Sequence, residues 1–319
     1  MNMVLTNEQL MEIWRGSYTF EETADGYLLS YQFTKEQMDY FDRTKDFWGE
    51  RCRYSNGKAL CFSTNATELS FEYKLLLVSA SMETFELMVD GVLLDMRDAE
   101  YAKSHSRISF TMPEGRKNVV IYMPCDVMLA IRNVTLNGDC IPAKRGEKVL
   151  WMGDSITQGI GTPYSSCTYV NTANRLLGYD VINQGIGGYR YDKGSLMPMP
   201  GYTPDKIVVA FGTNQFTEEQ AVEDARAYYE RLHELYGDIP VLCITPLWRT
   251  GETVYVEQLR QYGEAIRKVC AAYPNITVVD GWQLVPHLPE YFKDGLHPNA
   301  LGATVYGLAL VEQIRKNGF

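Results

Sequence analysis

No apolar run in this sequence is long enough to span a bilayer, which excludes a transmembrane helix. No C-x-x-C pair occurs among the seven cysteines at 52, 61, 125, 140, 167, 243 and 270, so neither a zinc motif nor a dithiol redox motif is expected. Positive charge is short. Thirty Lys and Arg face forty Asp and Glu, for a net charge of −10 and a pI near 5.0. That balance excludes nucleic acid and an anionic membrane surface as general partners. Residues 1–20 lack the basic start and apolar centre of a secretory signal, and the expected compartment is the cytoplasm, where scattered thiols stay reduced. G-x-G-x-x-G is absent, which argues against a dinucleotide loop. A long apolar lid segment is also missing, which weakens a lipase reading.

What is present divides the chain in two. A length of 319 residues favours two domains, and 45% hydrophobic with 22% charged residues is ordinary for a soluble globular protein. Stretches 26–33, 68–73, 84–89, 107–110 and 119–123 read as short strands, several alternating apolar and polar residues, with Asp90-Gly91 as a tight turn. Residues 1–146 are therefore expected to form an antiparallel β-sandwich of jelly-roll type. Residues 139–148 are polar and hold Pro142 and Gly146, as a crossover linker would. Apolar runs then recur at 149–152, 181–183, 207–211, 241–244 and 276–279. Helical patterns lie between and after them at 219–235, 255–273 and 299–316. This alternation predicts an α/β domain over 147–319, a flavodoxin-like doubly wound parallel sheet.

The chemistry gathers where that sheet ends. Val149-Leu150-Trp151-Met152 breaks at Gly153-Asp154-Ser155, which places a serine at the carboxyl end of a buried strand and the start of a helix. Asp154 also suits a helix cap. Asn183-Gln184-Gly185-Ile186-Gly187-Gly188 follows the second strand, where a backbone N–H could donate to an oxyanion. Gly212-Thr213-Asn214 follows the third, and the Asn214 amide could donate there too or cap a helix. Asp294-Gly295-Leu296-His297 precedes the last helix. Its spacing lets the carboxylate reach the imidazole Nδ1–H and leaves Nε2 for a serine.

Serine, glycine, asparagine and histidine in this order resemble the SGNH hydrolases, or GDSL-type esterases, over about residues 147–319. One departure is Gln215, where many members carry Asp, and changed local hydrogen bonding is expected there. The resemblance implies Ser155 as nucleophile, His297 as general base and acid, and Asp294 as its orienter. It also implies an oxyanion hole of the Ser155 and Gly188 amides and the Asn214 side chain. No metal or organic cofactor is implied.

A β-sandwich ahead of such a domain is similar to carbohydrate esterase family 2. The similarity implies removal of O-acetyl groups from carbohydrate derived from plant polysaccharides. Trp248, just past the fourth strand, is the candidate sugar-stacking residue, and Trp48, on a first-domain loop, is a candidate to line the same cleft. The expected partner is a small-molecule or oligosaccharide ester, and assembly as a homo-oligomer is compatible with the sequence. Two other readings stay open: an esterase or thioesterase for other small acyl groups, and a carbohydrate-binding protein with a vestigial hydrolase domain. Because Ser155 to His297 all lie beyond the linker, a truncation starting near Arg145 is expected to keep its triad and hydrolyse small aryl acetates.

Overall fold

A computed structural model describes residues 2–78, 84–99 and 106–319. Two antiparallel sheets come first. One orders the strands Thr19–Glu22, Leu28–Tyr31, Val127–Leu136, Glu68–Val78 and Ser106–Thr111, with Met3–Val4 beside Val127–Leu136. The other orders Ile141–Pro142, Ala59–Thr64, Lys117–Tyr122, Thr84–Val89 and Val92–Asp98, with Trp14–Arg15 beside Ala59–Thr64. Alternation drives their pairing. Ser106–Thr111 strictly alternates buried and exposed residues, and inward residues such as Leu60, Phe62, Phe71, Phe85 and Ile121 form one core between the sheets. Burying each such side chain contributes about 1.5–3 kcal/mol. Asp90 and Gly91, both at positive φ (48° and 82°), make the expected hairpin turn between Thr84–Val89 and Val92–Asp98.

The third sheet is parallel. Its strands are Lys148–Gly153, Asp180–Gly185, Lys206–Ala210, Val241–Ile244 and Ile276–Val279, and the second lies outside the first in the order 2-1-3-4-5. This is the flavodoxin-like order the sequence predicts. Successive residues of the first strand serve opposite faces. Val149 and Trp151 pack with Tyr169, Tyr306 and Leu310 from helices Tyr169–Leu177 and Ala300–Asn317. Leu150 and Met152 pack with Tyr228, Leu259 and Ile266 from helices Ala221–Tyr236 and Thr253–Cys270.

That second core does not stop at the parallel sheet. Tyr31, Phe33, Phe41 and Trp48 from the first 146 residues belong to it. Polar bonds tie the same junction. Tyr40 Oη donates to Asp192 Oδ2 at 2.8 Å, Gln184 Nε2 to the Gln32 carbonyl at 2.8 Å, and Asn56 Nδ2 to the Asn183 carbonyl at 3.0 Å. Even the stretch read as a linker is paired, since Ile141–Pro142 lies against Phe62 and Ser63 and the Ala143 amide donates to the Cys61 carbonyl.

Candidate active site

The site begins at the carboxyl end of the first parallel strand. Asp154 caps the helix Ser155–Gln158 by accepting the Ile156 N–H at 3.0 Å. The cap fixes Ser155 at the first helical position, where a side chain stands at the sheet edge and the amide has no intrahelical acceptor. Asp154 is wholly buried, and this desolvation pushes its carboxyl up to about 7 against the opposing pull of the Ile156 amide.

Ser155 Oγ lies 2.8 Å from His297 Nε2, and His297 Nδ1 lies 2.7 Å from Asp294 Oδ2. The other Asp294 oxygen accepts the amides of Leu296 at 3.1 Å and His297 at 2.8 Å. The turn thus holds its own carboxylate against the ring. Partial burial alone would raise the Asp294 carboxyl. The His297 amide and ring and the Leu296 amide outweigh it and hold the group down to about 2. An ionised Asp294 accepts from Nδ1–H, which leaves Nε2 as acceptor for the serine hydroxyl. The loop after the first helix closes on this ring from the other side. Gly161 has φ +108°, and a Cβ there would meet His297 Cβ at 2.7 Å.

The predicted oxyanion residues sit on neighbouring loops. The Tyr189 amide donates to the Ile186 carbonyl and folds a turn around Gly187 and Gly188. Gly188 has φ +73°, a conformation that disfavours other residues, and a Cβ there would meet the Phe47 ring at 3.3 Å. Neither the Ser155 nor the Gly188 amide donates to any group among the described residues. Asn214 Nδ2 donates one hydrogen to the Tyr189 carbonyl at 2.8 Å, beside Gly188. Asn214 is no helix cap, because the following helix starts at Ala221 behind Gln220. Its neighbour Gln215 accepts the Tyr191 amide at 2.6 Å and donates to Asp224 at 3.3 Å, which joins the two loops.

Sequence reasoning missed two residues that hold this loop. Gln158 Oε1 accepts the Gly187 N–H, and Gln158 Nε2 donates to the Asp126 carboxylate of the first domain. Both side chains are buried. Gln158 stands in the motif helix, but no spacing in the sequence pairs it with Asp126.

Of the two tryptophans, Trp48 differs from expectation and Trp248 lies where it was expected. Trp48 lies in the helix Asp46–Arg51 and not in a loop, and only 6% of it is exposed. Its ring packs edge-on against Tyr189 at 4.8 Å, because this short helix is pressed onto the glycine turn. Its neighbour Phe47 is the partly exposed ring that reaches Gly188. Trp248 does follow the fourth parallel strand, but His287 stacks on one face at 5.2 Å and Phe292 meets it at 5.4 Å. One face of the expected sugar platform is therefore already covered.

Residues 151–305 match the GDSL-like lipase/acylhydrolase family model. No curated protein matches the sequence. Three solved structures share the fold over nearly the whole chain. A protein described as a GDSL-like lipase from Bacteroides ovatus is 17% identical, with a TM-score of 0.80, over 99% of this chain and 98% of that one. A salicylyl-acyltransferase from a tetracycline biosynthetic pathway is 17% identical, with a TM-score of 0.78, over 100% and 97%. A family two carbohydrate esterase from Cellvibrio japonicus is 15% identical, with a TM-score of 0.67, over 99% and 97%. What this chain shares with that family is a GDSL-like lipase/acylhydrolase domain over residues 151–305.

Proposed function

We propose that this protein is a serine esterase that removes O-acetyl groups from carbohydrate through an acyl-enzyme. The observation that carries the reading is the unbroken series Ser155 Oγ, His297 Nε2, His297 Nδ1 and Asp294, with contacts of 2.8 and 2.7 Å. Ser155 attacks the ester carbonyl while Nε2 takes its proton. The imidazolium that forms is stabilised by Asp294. The Ser155 and Gly188 amides and the second Asn214 N–H receive the developing oxyanion. The leaving alcohol takes the proton from Nε2, and water repeats the sequence to release the acid.

The acetyl-carbohydrate part rests on the two-domain architecture, which is shared with family two carbohydrate esterases. The same fold also occurs in a salicylyl-acyltransferase, so fold alone does not choose the acyl group or its acceptor. Acetate release from acetylated xylo- and manno-oligosaccharides tests the proposal directly, alongside p-nitrophenyl acetate and octanoate with and without an added alcohol acceptor. Faster turnover of the octanoate would move the assignment to other acyl esters. A fluorophosphonate probe should label Ser155. A label elsewhere, with activity retained in Ser155→Ala, would remove the mechanism.

A further inference from the structure

A second concave site lies away from the triad, where the sandwich meets the amino-terminal end of the parallel sheet. Strand alternation explains its floor. In Ala59–Thr64 and Lys117–Tyr122, the residues Leu60, Phe62, Val119 and Ile121 face the sandwich core. Their neighbours Ala59, Cys61, Val120 and Tyr122 must then face outward. On a free sandwich that face would be polar. Here it is apolar and turned towards the second domain, and a cavity of about 290 Å³ remains above it.

Four cations surround this floor: Arg15, Lys144, Arg145 and Arg175. Among the described lining residues the only carboxylate, Asp180, is paired with Arg145 at 2.9 Å. Arg15 donates to the carbonyls of Glu12 and Ala143. Arg175 donates to the Ser166 carbonyl at 3.0 Å. Burial lowers the Arg15 pKa most, and the nearby Arg145 adds to it through crowding of positive charge, against the opposing pull of Asp180 and Cys61. Such crowding is notable in a chain of net charge −10. A mostly apolar cavity with a few convergent polar groups, at a domain junction, has the form of a small-molecule site.

We propose that this interdomain cavity binds an amphipathic monocarboxylate, with its apolar body over Ala59, Cys61 and Val120 and its carboxylate at the Arg15, Lys144 and Arg145 rim. The volume sits at the lower end of ligand pockets, which span about 300–1,000 Å³, and suits a medium-chain or aromatic acid. The ligand would touch both domains, so it would stabilise their junction by linkage.

The test is calorimetric titration of the full chain with octanoate, octanol and acetate. Ser155 is first blocked by a fluorophosphonate, so that no ligand enters through the triad. Octanoate should bind, and octanol and acetate should bind at least about tenfold more weakly, since each lacks one half of the recognition. Val120→Phe, which fills the cavity from its floor, should abolish octanoate binding while leaving p-nitrophenyl acetate turnover and the thermal midpoint of the unliganded protein unchanged. The double variant Lys144→Gln, Arg145→Gln should weaken octanoate about tenfold or more. No octanoate binding, equal binding of octanol, or full binding by a folded Val120→Phe protein would each overturn the proposal. The octanoate, octanol and acetate binding readouts do not depend on which ester the triad cleaves.

Discussion

Gln158, in the motif helix, donates its side-chain amide to Asp126, in the first domain, and so has its carbonyl turned to the Gly187 N–H. The Gly187 N–H decides the amide's orientation, because a backbone N–H can only donate. With Gly187 so engaged, the turn presents the next amide, that of Gly188, without an acceptor of its own. The first domain thereby reaches the proposed oxyanion loop through one buried side chain.

Loss of that link should cost catalysis more than binding. Gln158→Ala leaves the Gly187 amide and Asp126 without this partner and frees the turn, so kcat on p-nitrophenyl acetate should fall on the order of tenfold or more. Asp126→Asn keeps an acceptor for the Gln158 amide and should retain most of the activity that Asp126→Ala loses. Equal loss in both Asp126 variants, with KM rising in step, would mean the contact is only structural.

Much of this site was legible because each participant ends a strand. The apolar run 149–152 and its break at Gly153 place Ser155, and the three-residue spacing of Asp294 and His297 is short enough for a turn to pair them. Local patterns carry such information. Trp48 and Asp126 were illegible for the opposite reason. The helix Asp46–Arg51 has six residues and no side-chain cap, so it exists through packing on the Tyr189 turn rather than through its own sequence. Asp126 meets Gln158 across the domain junction, 32 residues apart in the chain, and no periodicity encodes that.

Asn214→Ala should lower kcat by roughly a hundredfold, as for loss of one oxyanion donor. The bond to the Tyr189 carbonyl adds a structural cost that the sequence did not foretell, on the order of 1 kcal/mol. The thermal midpoint should therefore drop slightly while kcat drops heavily. A large fall in midpoint with near-normal kcat would assign Asn214 to the loop and not to the chemistry.

The truncation near Arg145 now has a different expected outcome from the one read in the sequence. Its triad residues are intact, but Phe41, Trp48, Asn56 and Asp126 are gone from around the glycine turn. The face of the second core that they cover becomes exposed, which favours aggregation. The truncated chain should be poorly soluble and should have lost most of its turnover of small aryl acetates as well as of oligosaccharides. A soluble fragment with full activity on p-nitrophenyl acetate would show that the oxyanion turn keeps its shape alone.

Asp154 gives a pH prediction whose sign can be worked out. Burial raises its carboxyl to about 7 in the folded protein, above the ordinary value of 3.8. Between those values the folded state holds a proton that the unfolded state has released, so stability from this group falls as pH rises from about 4 to about 7 and is flat above. Asp294 has the opposite sign. Its carboxyl is held at about 2, so it favours the folded state above its ordinary value and loses that contribution only as pH falls towards 2. The two windows do not overlap, which lets a single variant separate them. Asn in place of Asp154 keeps an oxygen for the Ile156 amide and removes the titration. A cavity of about 20 Å³ beside Asp154, lined also by Thr157, Tyr169 and Tyr306, has room for one water to serve the added N–H groups. Thermal midpoints of Asp154→Asn and the parent chain should therefore lie close near pH 4 and separate by pH 8, with the variant the more stable. A constant difference across that range would show that Asp154 does not titrate there, and a variant less stable only at high pH would show that the ionised carboxylate is the favoured form.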